Sequence, residues 1–183
     1  MSGLPLTVAI IGAGPLGRRL ARAAAQVGCH VLLEDVMPAN LHHAREALRQ
    51  QLSPDALPSV RFVSTIEDAV RDADLAIDCV PDELESKLEI FCLLDRMAPP
   101  RTILATPSTR LSITDLATCT YRPERCVAIA TEASQLMAES ANGSVSAPLR
   151  IRVSAYTTSD TVRIVADFCK MLGFSPQIDP DTA

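Results

Sequence analysis

Three glycines carry the first chemical signal in this chain. They stand at the first, third and sixth places of Gly12-Ala13-Gly14-Pro15-Leu16-Gly17, after an apolar run over 6–11 and before a stretch suited to a helix. At those places glycine permits a tight turn, lets a diphosphate reach the backbone, and lets the helix lie close on the strand. The N–H groups and positive end of the helix then face the phosphates, so Pro15 and Leu16 join the glycines as candidate cofactor contacts. The spacing alone is a weak signal, because glycine-rich turns also end ordinary strands. A second residue strengthens it: Asp35 ends the next apolar run, about twenty residues on, where dinucleotide folds hydrogen-bond a ribose diol. Its charge would repel a 2′-phosphate, and neither Met37 nor Pro38 supplies the arginine that NADP sites often place nearby, so the expected cofactor is NAD. The competing reading makes Glu34-Asp35 a solvated strand end, and the register with the glycines favours the cofactor.

These residues need an alternation of strands and helices to position them, and the pattern supplies one. Strands are expected at 6–11, 29–34, 60–63, 74–80, 101–105, 125–130 and 149–154, with a short terminal strand at 176–178. Helices are expected at 15–27, 38–52, 82–97 and 158–172, with shorter ones after Thr65 and Ser112, both candidate N-caps. In the helix at 82–97, Leu84, Leu88, Phe91, Cys92 and Leu94 supply the apolar positions, and Glu85, Lys87, Glu89 and Asp95 the polar side. The order implies an α/β fold: a doubly wound Rossmann fold in one domain over 1–183, with a mostly parallel sheet and helices on both faces.

Composition narrows the function. Of 183 residues, 48% are hydrophobic and 21% charged, as in an ordinary globular domain. The net charge of −5 argues against nucleic acid, whose binders carry a basic face. No apolar run reaches the roughly 20 residues of a membrane helix, and nothing at the start reads as a secretory signal, so a cytoplasmic location is expected. The six cysteines lack metal-ligand spacing and read as reduced, mostly buried thiols, with no metal expected.

In several further stretches the chain resembles the N-terminal NAD-binding domain of the L-3-hydroxyacyl-CoA dehydrogenase family. They are Val31-Leu32-Leu33-Glu34-Asp35, Val80-Pro81-Asp82-Glu83-Leu84-Glu85-Ser86-Lys87, Leu94-Asp95, the run from Ile103 to Thr114, and Asp167-Phe168-Cys169-Lys170-Met171-Leu172-Gly173. The resemblance implies that Gly12, Gly14 and Gly17 cradle the pyrophosphate and that Asp35 holds the adenine ribose. It adds Val80 to the cofactor contacts, and it puts Asp82 and Lys87 near the nicotinamide ribose. Thr109 falls where the family has a serine that contacts the nicotinamide side and the substrate, which makes Thr109 the candidate catalytic residue.

The departures from the family fall on its catalytic pair. The family's histidine base aligns with Ala130, its Asn-Pro with Ala133-Ser134, and its glutamate with about Ile151; Pro107 replaces a loop asparagine. The three histidines, His30, His42 and His43, all lie on elements that serve the adenosine end. Glu132 or Glu139 would have to fold over the site to act as base. The family's C-terminal helical domain, which closes over the acyl-CoA, has no counterpart in the expected domain plan, so a separate helical partner domain or a homodimer would complete the site. Two functions remain. One is an NAD-dependent oxidoreductase of fatty acid metabolism, acting on a 3-hydroxyacyl-type substrate, a small molecule or an acyl-CoA. The other is a non-catalytic NAD-binding module or sensor. A Ser-Tyr-Lys dehydrogenase is disfavoured, since Arg125 and Asp160 stand where its lysine would follow Tyr121 or Tyr156, and both tyrosines read as packing residues.

Overall fold

Strand β1 (Thr7–Ile11) is apolar from Val8 onward, as suits a strand covered on both faces. Val8 and Ile10 enter one core, and Ala9 and Ile11 the other. The computed structural model describes residues 5–130 and 147–181. After β1 come α1 (Pro15–Gln26), β2 (His30–Glu34), α2 (Pro38–Gln51), β3 (Val60–Val63), α3 (Ile66–Val70), β4 (Leu75–Asp78) and α4 (Leu84–Met97). They are followed by β5 (Ile103–Thr106), α5 (Ile113–Thr118), β6 (Cys126–Ala130), β7 (Ala147–Val153), α6 (Ser159–Met171) and β8 (Phe174–Pro180).

The described strands form one sheet in the order β3-β2-β1-β4-β5-β6-β7-β8. The first six are parallel. β7 pairs antiparallel with β6, and β8 runs parallel to β7. Helices α1, α2 and α6 cover one face through residues such as Leu20, Leu48 and Phe168. Helices α3, α4 and α5 cover the other through Val70, Phe91 and Leu116. Strand order reverses between β1 and β4, and a crevice at the carboxyl ends of such strands is where this architecture binds ligands.

Local chemistry sets the element ends. Thr65, Ser112 and Thr158 each accept a bond from a backbone N–H three residues on, from Asp68, Asp115 and Thr161, and so cap α3, α5 and α6. Helix α4 begins at Leu84 rather than Asp82, because the Glu83 N–H turns back to the Pro81 carbonyl at 2.8 Å.

Packing corrects the expected polar face of α4. Lys87 and Asp95 are buried because each has a dedicated partner. The Lys87 ammonium lies 3.1 Å from Asp78 Oδ2. Asp95 accepts from Arg122 Nε at 2.8 Å and from the Tyr121 N–H at 2.9 Å. Arg122 also donates to the Asp95, Ala98 and Pro99 carbonyls, satisfying orphan acceptors at the end of α4. Tyr121 and Tyr156 are not packing residues: they are 97% and 53% exposed, set on loops beside this clamp and before α6. Of the six thiols, Cys29, Cys126 and Cys169 are buried and the other three half-buried, and none is in a disulfide.

Candidate functional site

The glycine turn is built by two close approaches. Gly12 adopts φ +105°, a conformation that side-chain-bearing residues rarely take. A Cβ on Gly17 would fall 1.8 Å from the Gly12 carbonyl oxygen, so only glycine lets α1 cross β1 here. Gly14 is different, since a Cβ there would meet nothing within 4 Å among the described residues. Its backbone borders open space, and as the first residue before α1 it offers no side-chain cap, with no acidic residue in the helix's first turn. Uncapped N–H groups beside open space form an anion cradle.

Asp35 closes one side of this cradle. Its Oδ2 accepts the Ala13 N–H at 2.9 Å and its Oδ1 the Met37 N–H at 2.8 Å. The Asn40 amide reaches both oxygens, at 3.2 and 3.1 Å. The carboxylate therefore ties the turn after β1 to the turn after β2. Between them and the β4 turn lies a cavity of about 450 Å³, with Gly12, Gly14, Glu34 and Asp35 on one side and Val80 and Ile90 on the other.

Glu34 belongs to this wall, whereas the sequence left open a solvated strand end. It is 5% exposed and shares the side of β2 on which Leu32 packs toward α3 and α4. Burial, and then the neighbouring charge of Asp35, push its carboxyl up to about 7. The period-2 alternation of strand side chains could have placed Glu34 on that face.

The β4 turn is held from below. Lys87 Nζ donates to Asp78 Oδ2 at 3.1 Å and to the Val80 carbonyl at 3.1 Å. Asp78 also accepts from the Val80 N–H at 3.0 Å and the Thr106 hydroxyl at 3.2 Å. Burial raises the Asp78 carboxyl, while Lys87 and these donors pull it back down. The structure thus places the Lys87 ammonium under the turn as its support. Asp82 lies just beyond, its backbone carbonyl accepting from Arg110 at 3.1 Å, and its Oδ1 is buried without a hydrogen-bond partner among the described residues.

A second cavity, of about 500 Å³, lies between the loop after β5 and strands β6, β7 and β8, bounded by Thr109, Ala130, Arg150, Arg152, Asp179 and Pro180. Thr109 is exposed in the loop after β5. The β6–β7 register sets Arg150 opposite Ala130 and Ile151 opposite Ile129. Ile151 is fully buried, so the residue that faces the expected base position is Arg150, paired at 3.6 Å with Asp179. Arg152 donates to the Ser108 and Leu111 carbonyls at 3.0 and 2.8 Å, fixing the loop that carries Thr109. His30, His42 and His43 lie on β2 and α2, away from this cavity. Glu132, Ala133, Ser134 and Glu139 lie outside the described residues. Among the described residues, no group of three or more His, Cys, Asp or Glu side chains is placed to hold a metal ion, and no helix is long and apolar enough to cross a membrane.

Comparison with known proteins agrees with this geometry. Residues 7–131 match the family model described as the 3-hydroxyacyl-CoA dehydrogenase NAD binding domain. A probable 3-hydroxybutyryl-CoA dehydrogenase of Bacillus subtilis is 32% identical over 133 residues, 66% of this chain and 46% of that protein. A 5-formyl-3-hydroxy-2-methylpyridine 4-carboxylate 5-dehydrogenase of Mesorhizobium japonicum is 29% identical over 181 residues, 93% of this chain and 56% of that protein. In fold, the chain is similar to the (S)-3-hydroxybutyryl-CoA dehydrogenase of Ralstonia eutropha, with a TM-score of 0.84 at 22% identity, over 98% of this chain and 65% of that one. The chain spans about half the length of these curated relatives.

Proposed function

The chain belongs to the 3-hydroxyacyl-CoA dehydrogenase family through its NAD-binding domain, and on that premise we propose that it forms the cofactor-binding half of an NAD-dependent oxidoreductase acting on a 3-hydroxyacyl-type substrate. The single observation that carries this reading is the continuous crevice from the uncapped start of α1, past Asp35 and under the β4 turn. The residues present fit the cofactor. Open space over Gly14 leaves room for a diphosphate, Asp35 offers carboxylate oxygens to ribose hydroxyls, and Asp82 Oδ1, without a hydrogen-bond partner among the described residues, offers an acceptor to the second ribose.

In this reading Gly12, Gly14 and Gly17 shape the diphosphate cradle, while Pro15 and Leu16 present the helix start. Val80 packs against the cofactor, and Lys87 positions the β4 turn instead of touching ligand. When bound, NAD supplies a hydride acceptor. The Thr109 hydroxyl stands at the mouth of the second cavity, where it can hydrogen-bond a substrate oxygen. Removal of the hydroxyl proton needs a base within hydrogen-bond reach, and Ala130 has none to offer. We assign the base to a group outside the described residues, with Glu132 and Glu139 as the candidates in this chain and a helical partner domain or a second copy as the other sources.

The relatives, named as dehydrogenases, favour an oxidoreductase over a module that only binds NAD. The test is calorimetric titration with NADH together with NADH oxidation assayed on acetoacetyl-CoA and smaller 3-keto compounds. Binding with turnover supports the proposal. Binding without turnover, with and without a candidate helical partner, leaves the chain as an NAD module and rejects the catalytic part.

A further inference from the structure

We propose that Glu34 is a specificity residue that selects adenine as the distal base of the dinucleotide, by accepting a hydrogen bond from its exocyclic amine. The proposal rests on the NAD reading above and goes beyond it, because neither the glycine turn nor Asp35 distinguishes one purine from another.

Geometry sets where the base must go. With the diphosphate over Gly14 and the ribose at Asp35, the base lies on the far side of the ribose, in the part of the cavity walled by Val80, Ile66 and Ile90. Those side chains grip the flat faces of a ring by dispersion and carry no hydrogen-bonding group to read its edge. Apart from the Cys79 thiol, a weak hydrogen-bonding group, three polar side chains share the lining. Asp35 and Asn40 bond each other at 3.1 and 3.2 Å, which leaves Glu34. Its residue is 95% buried, and its carboxylate has no hydrogen-bond partner among the described residues.

An acceptor in that place is selective. Adenine presents an amine at C6, a donor. Hypoxanthine presents a carbonyl there, which would face the carboxylate oxygen with like partial charge. A buried polar group left without its partner is costly, so discrimination comes as much from rejecting the wrong base as from holding the right one. The strain of keeping Glu34 ionised beside Asp35 is relieved by the amine donor and worsened by the carbonyl.

The test compares NAD with nicotinamide hypoxanthine dinucleotide by calorimetric titration at pH 8, where the Glu34 carboxyl is ionised. The wild type is expected to bind NAD about 10-fold or more tightly, the scale of one hydrogen bond to a charged group. In Glu34→Leu, which fills the same space without an acceptor, the preference should fall to within about 3-fold, and Glu34→Gln, whose amide can donate to a carbonyl, should also narrow it. Equal binding of the two dinucleotides by the wild type, or an unchanged preference in the variants, overturns the assignment while leaving NAD binding intact. Binding of neither overturns the NAD reading and this assignment with it. Should Glu34→Leu fail to fold, the wild-type comparison and Glu34→Gln still decide.

Discussion

Replacing Glu34 by Gln should make the protein more stable, and by an amount that depends on pH. The carboxyl is held at about 7 against an ordinary 4.5, so the unfolded chain releases this proton first. Wild-type stability contributed by the neutral acid is complete below about pH 4.5 and is lost as pH rises through about 7. The full difference corresponds to about 3 kcal/mol. Water entering the open cavity screens part of it, leaving about 1–2 kcal/mol. Gln keeps the shape and cannot ionise. Urea unfolding of both proteins at pH 5, 6, 7 and 8 (roughly spanning the transition) should therefore show curves that nearly coincide at the acid end and separate by about 1–2 kcal/mol at the alkaline end. Titrating groups other than the neighbouring Asp35, which is coupled to Glu34, are common to the two proteins and cancel. A constant gap across the range, or a variant less stable at the alkaline end, would refute the claim that Glu34 is buried against its charge.

Other substitutions separate shape from chemistry. Gly14→Ala should leave the urea midpoint almost unchanged, because its Cβ meets nothing, yet weaken NAD binding measured by calorimetry by about tenfold or more through the lost approach of the diphosphate. Gly17→Ala should instead lower stability by about 3 kcal/mol or more in the same unfolding assay, since its Cβ collides with the Gly12 carbonyl and α1 must move off β1. Lys87→Met strands Asp78 in the interior and should cost about 3–5 kcal/mol, much of it recovered in the Lys87→Met, Asp78→Leu double variant. Arg122→Leu should cost a similar amount, about 3 kcal/mol or more, by leaving Asp95 and the end carbonyls of α4 unsatisfied; thermal melting would measure it.

Local rules revealed much of this fold. The glycine turn, the caps at Thr65 and Ser112, and the order of strands and helices follow from backbone preferences and from side chains within a few residues, and these are printed in the sequence. The place of Asp35 beside the glycine turn was legible for the same reason, since its distance from the glycines reports the strand register. What the sequence hid were partnerships across the sheet. Lys87 and Asp95 look like solvent-facing charges on an amphipathic helix, and only the packing of α4 brings them to Asp78 and Arg122. Glu34 reads as a strand end until α3 and α4 roof it over. Across β6 and β7, the family resemblance gives about Ile151 for the glutamate position, and the pairing of Arg150 with Ala130 was not legible, because residues 131–146 separate the strands and spacing alone does not carry register across them.

The bond from the Ala13 N–H to Asp35 has a thermodynamic implication of its own. One carboxylate joins the two loops proposed to receive different parts of the dinucleotide, so a fragment that rearranges the hydrogen bonds of Asp35 also alters the turn beneath the other fragment. The adenosine and diphosphate halves would then not contribute independent increments of affinity. Each half would meet a site already altered by the other, and the intact molecule would bind with a cooperativity that its separate pieces lack.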